Sequence, residues 1–257
     1  MSDFIAPIER QNSILDLLHQ QQRITVAEIC QRFSVSKATA RRDLENLAQE
    51  GKLQRVHGGA ITLRQAPPES PILLREREQW EEKMRIGRAA ADLVQNGDTV
   101  FLGSGTTVLD VARNLHQHIE LTVISNSLPV INMLARLPNV TVIALGGQVR
   151  DSELSFIGYL TEQALGEINA DLVILGIRAI SLTNGLSNDY LPETMTDRAI
   201  LRAGRKVVIV ADHTKCGMVS TAVVAPLSSI QTLVTDDKTD HAFVASLREQ
   251  GIEVIVA

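Results

Sequence analysis

This sequence predicts a chain in two parts: an amino-terminal, mainly α segment ending in a β-hairpin, then a carboxy-terminal α/β domain on a mainly parallel sheet. Three observations carry the prediction. Up to Thr62 apolar residues recur at three- and four-residue steps and then give way to a glycine-centred hairpin. From Thr99 onward, short β-branched runs alternate with helical patterns, the rhythm of strands buried on both faces and joined by crossover helices. Between the two, "RQAPPESPILLRE" holds three prolines within five residues, which cannot continue a helix and favour extended backbone. The expected domains are therefore 1–63 and 76–257, joined by a linker at 64–75.

Ile8, Ile14, Leu15, Leu17 and Leu18 give the apolar face of a first helix. Thr25 and Glu28 form a capping box in which hydroxyl and carboxylate each satisfy an orphan amide, and a second helix runs from there to about Phe33. Ser36 caps a third helix whose inward positions are Ala40, Leu44 and Leu47, with Gly51 as its stop. "KLQRVHGGAITL" alternates as two strands around Gly58-Gly59, a pair expected to supply positive φ. A long charged helix is expected from Arg75 to Gln95. The strands that follow are "TVFLG", "LTVISN", "VTVIALGG", "DLVILGI", "KVVIVAD", "TLVTDD" and "EVIVA". Helices are expected at 108–115, 128–136, 160–168, 193–203 and 240–249.

With 44% hydrophobic and 21% charged residues, the 257-residue chain has ordinary globular composition. Its net charge of -5 argues against a protein that coats nucleic acid indiscriminately, but the charge is unevenly spread. Residues 1–63 carry eight Lys/Arg against seven Asp/Glu, a net +1, so the rest carries -6. Between Arg32 and Arg55 the excess is six basic to three acidic residues. Cys30 and Cys216 are far apart and make no metal spacing, so no metal site and no cofactor are expected. "MSDFIAPIERQNS" lacks the apolar core of a signal peptide and no apolar run approaches 18 residues. A reducing, bacterial-type cytoplasm is the expected compartment.

The basic excess falls where it has a use. In a helix-turn-helix the second helix enters the major groove with its first residues nearest the base edges. Lys37 and Arg41 stand one turn apart on the side away from Ala40 and Leu44, and Arg42 is placed to reach a phosphate. Ser36 and Thr39 offer short hydroxyl donors at the helix mouth, while Arg55 and His57 ride the hairpin as a wing beside the groove. A solvated basic face is the plain alternative for any isolated pair. Here the pair coincides with helix-turn-helix spacing at about 25–44, a short Ser34-Val35 turn and a basic wing, and duplex DNA is the preferred partner.

"TVAEICQRFSVSKATARRDLENLAQEGKLQRVHGGA" resembles the winged helix-turn-helix of the DeoR-type bacterial repressors, in which "RRDL" followed by "RVHGGA" is the hallmark. The resemblance extends over nearly the whole chain through "GSGTT", "GGQVR" and "DHTKCG". It implies a repressor of sugar-utilisation genes, with a carboxy-terminal domain that binds a sugar phosphate or related metabolite. It further implies a sugar-phosphate-isomerase-like fold for that domain, association as a homodimer or homotetramer, and residence at the bacterial nucleoid.

The residues of the acidic part point the same way. Ser104, Gly105, Thr106 and Thr107 follow a buried strand and open a helix, where glycine lets the backbone approach an anion and the helix terminus adds partial positive charge. Gly146 and Gly147, with Arg150 nearby, and Lys215 just past another strand repeat the pattern. Ligands of open α/β sheets gather beyond the carboxyl ends of the strands, so these loops are expected to converge. Asp189 and Glu193 are candidates to accept hydrogen bonds from sugar hydroxyls, although Glu193 after Pro192 also suits a helix start on dipole grounds alone. Arg178 lacks a neighbouring glycine or hydroxyl and is the weaker candidate. An alternative from another class is a sugar-phosphate isomerase or deaminase with an accessory winged helix, using Asp189 or Glu193 as base. The absence of a "DGADE"-like cluster weighs against it, and no catalytic residue is assigned. A winged helix that binds only protein is a third option.

Overall fold

The computed structural model describes residues 6–21, 23–62, 64–67 and 69–257. Leu63, the expected end of the first domain, and Pro68 of the linker lie outside the described residues, as do Met1 to Ile5.

The amino-terminal unit runs α1 (Pro7–Gln21), β1 (Arg23–Thr25), α2 (Val26–Phe33), α3 (Lys37–Gln49), β2 (Leu53–Val56) and β3 (Gly59–Thr62). The capping box forms as expected: Thr25 N–H donates to Glu28 Oε2 at 2.7 Å and Glu28 N–H donates to Thr25 Oγ1 at 3.2 Å. Ser34 closes α2 in the left-handed conformation, and Ser36 Oγ accepts the Thr39 amide to start α3. Ile14, Leu18, Ile24, Ile29, Leu44, Leu47 and Leu53 form the core between them.

Two expectations are corrected here. Ile8 is 73% exposed, because at about 100° per residue it falls outside the stripe of Ile14 and Leu18; the inward position on that turn belongs to Arg10. Of the glycine pair only Gly58 has positive φ, at 81°. Gly59 is required by close approach instead. It pairs with Thr25 of β1, a strand the sequence did not reveal, and a Cβ there would lie 2.1 Å from the Ile24 carbonyl oxygen.

The described residues of the connecting segment dock against the α/β domain. After β4 (Arg64–Gln65) come α4 (Ile72–Arg75) and α5 (Trp80–Ala91). The helix expected over 75–95 covers only Trp80–Ala91; Arg75 ends the separate short α4, and the break between them closes at Gln79 with φ 50°. Tertiary ion pairs explain the break. The Arg75 guanidinium is held by Glu69 and Glu153, and Lys83 Nζ donates to the Arg75 carbonyl at 2.7 Å.

All seven expected strands are present: β5 (Thr99–Leu102), β6 (Leu121–Ser125), β7 (Val140–Ala144), β10 (Ala170–Gly176), β13 (Gly204–Val210), β16 (Thr232–Thr235) and β17 (Glu253–Val256). They form one parallel sheet in the order β17-β16-β13-β10-β5-β6-β7. The five expected helices are α6 (Thr106–Arg113), α7 (Leu128–Leu134), α8 (Tyr159–Gly166), α9 (Leu191–Arg202) and α10 (His241–Glu249). Alternate residues of one strand face different cores: Leu172 and Ile174 one layer, Val173 and Leu175 the other.

Shorter strands complete the domain. β8 (Gln148–Arg150) and β9 (Ser155–Ile157) form a hairpin. β11 (Ala179–Ser181), β12 (Gly185–Asn188) and β15 (Ala222–Ala225) form a small sheet, and β14 (Met218–Val219) pairs with β4 of the connecting segment. In the main sheet the chain runs outward from β5 to β7, then returns beside β5 as β10 and runs outward the other way. The topological switch point therefore lies between β5 and β10, where the carboxyl ends of adjacent strands diverge and open a crevice.

Candidate functional site

A cavity of about 270 Å³ occupies that switch point. Its lining includes Ser104 to Thr107 after β5, Gly176 to Arg178 at the end of β10, and Val210, Ala211, Asp212, Thr214 and Lys215 at the end of β13. Gly105, with φ 109°, precedes α6 and supplies no side-chain cap, so the first amides of α6 keep their donors toward the cavity end of the helix. Four cations line it: Arg75, Lys83, Arg178 and Lys215. Burial pulls both lysines below the ordinary ammonium range, and nearby Asp212 (for Lys83) and Glu69 (for Lys215) pull the other way.

Carboxylates are interleaved with the cations. Glu193 pairs with Arg150, whose guanidinium also stacks 4.7 Å from the Tyr190 ring centroid and stands 3.7 Å from Asp189. Burial pushes Glu193 well above the usual carboxylate range, and neighbouring Asp197 adds to it. Asp197, which accepts a hydrogen bond from Asn188, is pushed up by burial to about 7. Glu153 is raised as well, burial outweighing its Arg75 partner.

Of the candidates read from sequence, Ser104, Gly105, Thr106, Thr107 and Lys215 line the cavity, together with Glu193 and the less favoured Arg178. Arg150 and Asp189 stand behind Glu193 and at the connecting segment: Asp189 Oδ2 accepts the Glu69 amide at 3.1 Å. Gly146 and Gly147 are not brought in. They follow β7, which forms the sheet edge with β6 between it and the switch point. Gly147 serves packing, since a Cβ there would lie 2.2 Å from Thr161 Oγ1, and that hydroxyl donates to the Gly146 carbonyl at 2.8 Å.

Sequence reasoning missed Glu69, Arg75, Lys83, Glu153, Asn188 and Asp197. The first three sit in a proline-rich segment and a charged helix, where charge ordinarily means solvent. Lys83 is only 4% exposed, and nothing in its local pattern announces that.

The recognition-helix candidates face outward. Ser36, Lys37, Arg41 and Arg42 are exposed at the start of α3, and Thr39 is half-buried beside Ser36, its Oγ1 3.0 Å from Ser36 Oγ. The wing is more constrained. Arg55 donates to the Arg41 carbonyl at 3.3 Å and lies 3.8 Å from Glu45, so it braces the hairpin against α3. His57, at the hairpin turn, is engaged by α10: its amide donates to Ser246 Oγ at 2.6 Å, and Nδ1 lies 2.5 Å from Glu249 Oε1. Arg23 adds a second bridge to Asp240 at 3.1 Å.

Known proteins resemble both parts of the chain. A model of the DeoR-like helix-turn-helix domain matches residues 10–66, and a model of the DeoR C terminal sensor domain matches residues 78–237. The chain belongs to the DeoR family. This DeoR-family protein is 35% identical over 251 residues to the HTH-type transcriptional regulator GolR of Listeria innocua serovar 6a, covering 98% of this chain and 99% of that one. It is also 35% identical over 246 residues to the glycerol-3-phosphate regulon repressor of Escherichia coli K12, covering 96% and 97%. Among solved structures, a ribose 5-phosphate isomerase A from Methanocaldococcus jannaschii is similar over 54% of this chain and 55% of that chain, with TM-score 0.40 and 16% identity. Among the described residues, no helix of this DeoR-family protein is long and apolar enough to cross a membrane.

Proposed function

We propose that this DeoR-family protein is a repressor of a carbohydrate-utilisation operon whose operator affinity is set by a phosphorylated sugar bound at the switch-point cavity. The observation that carries the reading is the convergence of Ser104 to Thr107, the uncapped start of α6, Arg178 and Lys215 on one polar cavity. Backbone and hydroxyl donors with two cations are what a phosphoryl group requires, and interleaved carboxylates suit the hydroxyls of a sugar. At about 270 Å³ the space is slightly smaller than the roughly 300–1,000 Å³ of drug-sized sites, a fit for a small metabolite. The name of the glycerol-3-phosphate regulon repressor supports a phosphorylated effector.

On this reading Lys37, Arg41, Arg42, Ser36 and Thr39 meet operator DNA, the protein acts without catalysis, and it works in the cytoplasm. Tyr159, Leu160, Leu191 and Met195 are exposed on the packed helices α8 and α9, apolar surface of the kind that subunits bury. A homo-oligomer related by a two-fold would present two recognition helices to a repeated half-site. The test is a thermal-shift screen of phosphorylated sugars followed by gel-shift titration on the protein's own promoter. A compound that raises the melting temperature and changes operator affinity is expected; binding to promoter and random duplex with equal affinity, with and without every compound, overturns the reading.

A further inference from the structure

The connecting segment places a carboxylate of its own among the cations of the cavity. Glu69 Oε1 accepts from Arg75 Nη1 at 2.7 Å and lies 3.4 Å from Arg178 Nη1 and 3.6 Å from Lys215 Nζ. One oxygen thus serves three cations from three parts of the fold. Two of these contacts exceed the distances of well-formed hydrogen bonds, so the cations are neutralised without being saturated. Glu69 is the one carboxylate within ion-pairing distance of Lys215 among the described residues. Arg178 Nε is buried, in a side chain 7% exposed, with no hydrogen-bond partner among the described residues.

The same segment is strapped to the sensor domain at this spot. The Pro67 carbonyl accepts from Arg178 Nη2, the Ala66 amide donates to the Val219 carbonyl at 2.8 Å, and the Glu69 amide donates to Asp189. Arg64 and Gln65 form the short parallel ladder with Met218 and Val219, which follow Lys215 closely in the chain. At its other end the strap reaches β3 of the helix-turn-helix unit.

We propose that Glu69 is an internal occupant of the anion subsite, and that a phosphorylated effector binds by taking its place on Lys215 and Arg178. This rests on the effector reading given above and adds the route of coupling. A phosphoryl group offers several oxygens and close to two negative charges, where Glu69 offers one oxygen. Both anions cannot share one pair of cations without like-charge repulsion, so effector binding and docking of the strap exclude each other. An anion that discriminates between docked and released strap shifts their populations, and by linkage the strap's position shifts anion affinity equally.

The test uses the full chain and inorganic phosphate as probe, with potassium chloride at matched ionic strength as control. Phosphorus NMR titration is expected to give a phosphate Kd about tenfold lower for Glu69→Gln than for the natural protein, because the competing occupant is gone. In parallel, phosphate but not chloride is expected to accelerate hydrogen–deuterium exchange across residues 64–71 of the natural protein, which does not depend on how the variant folds. Lys215→Ala separates the two readings. If it abolishes phosphate binding while Glu69→Gln leaves the Kd unchanged or raised, or phosphate slows or does not alter exchange over 64–71, the internal-occupant inference falls and the effector site stands. If phosphate binding is absent or indifferent to Lys215, both fall.

Discussion

The Asp43 carboxylate is buried against Arg10, whose Nε donates to Oδ2 at 2.6 Å and whose Nη2 donates to Oδ1 at 3.2 Å. Gln11 adds a further donor to Oδ1 at 3.1 Å. Asp43 thus has a different task from its neighbours Arg41 and Arg42: it clamps the recognition helix to α1. Removing one member of a buried pair strands the other, at a cost of about 3–5 kcal/mol. Asp43→Ala is therefore expected to unfold the helix-turn-helix unit at much lower urea than the natural protein, followed by circular dichroism, with loss of operator binding. An unchanged first transition would contradict this.

Lys37→Ala and Arg41→Ala should act differently, since both side chains are exposed and unburdened by packing. Each is expected to weaken operator binding by about 1–3 kcal/mol if it contacts a base edge. Melting temperature and effector binding should stay as they were. Gel-shift and thermal-shift titrations on the same samples separate the two effects.

Glu249→Ala is expected to release His57 from α10. An exposed pair of this kind is worth at most about 1 kcal/mol, so operator affinity should rise by no more than about fivefold if the docked wing is held away from DNA. Fluorescence anisotropy on labelled operator at low salt reads the change; a fall in affinity would show that the docked wing is the DNA-competent one.

Asp197 sets a pH dependence whose sign follows from burial. Its pKa in the fold is pushed up to about 7, above that of the unfolded chain, so its contribution to stability is complete below the unfolded value of about 3.9 and is lost as pH rises toward 7. The limiting slope is about 1.4 kcal/mol per pH unit for one proton. Stability from urea unfolding should therefore fall between about pH 5 and 7, and Asp197→Asn should flatten that fall. A variant with the same slope as the natural protein would refute the assignment. Residual slope in the variant is expected from Glu193, which burial still raises once the Asp197 charge is gone.

Much of this molecule was legible in the chain itself. The capping box of Thr25 and Glu28, the hydroxyl cap at Ser36, the strands of the large sheet and the loops at Ser104 and Lys215 all depend on spacing or on a strand and its following turn. Such features are local, and local chemistry is written in consecutive residues. The same logic failed at Ile8, where helix geometry gives the inward position to Arg10, and over 75–95, where Arg75 is held by Glu153 from a distant part of the chain.

Which loops meet was decided by strand order. Gly146-Gly147 and Ser104-Gly105 look alike in sequence, yet only the second lies at the switch point, because β10 returned beside β5 and left β7 at the edge. The burial of Lys83, the gathering of Arg75, Arg178 and Lys215 around Glu69, and the pairing of Glu193 with Arg150 likewise arise from segments far apart in the chain. Charges that sequence placed in a linker, a charged helix and separate loops became the walls of one cavity once the sheet and its strap enclosed them. Sequence determined the main strands and helices and the basic helix; tertiary structure alone decided which charges share a low-dielectric space, because burial and pairing are properties of neighbours in space.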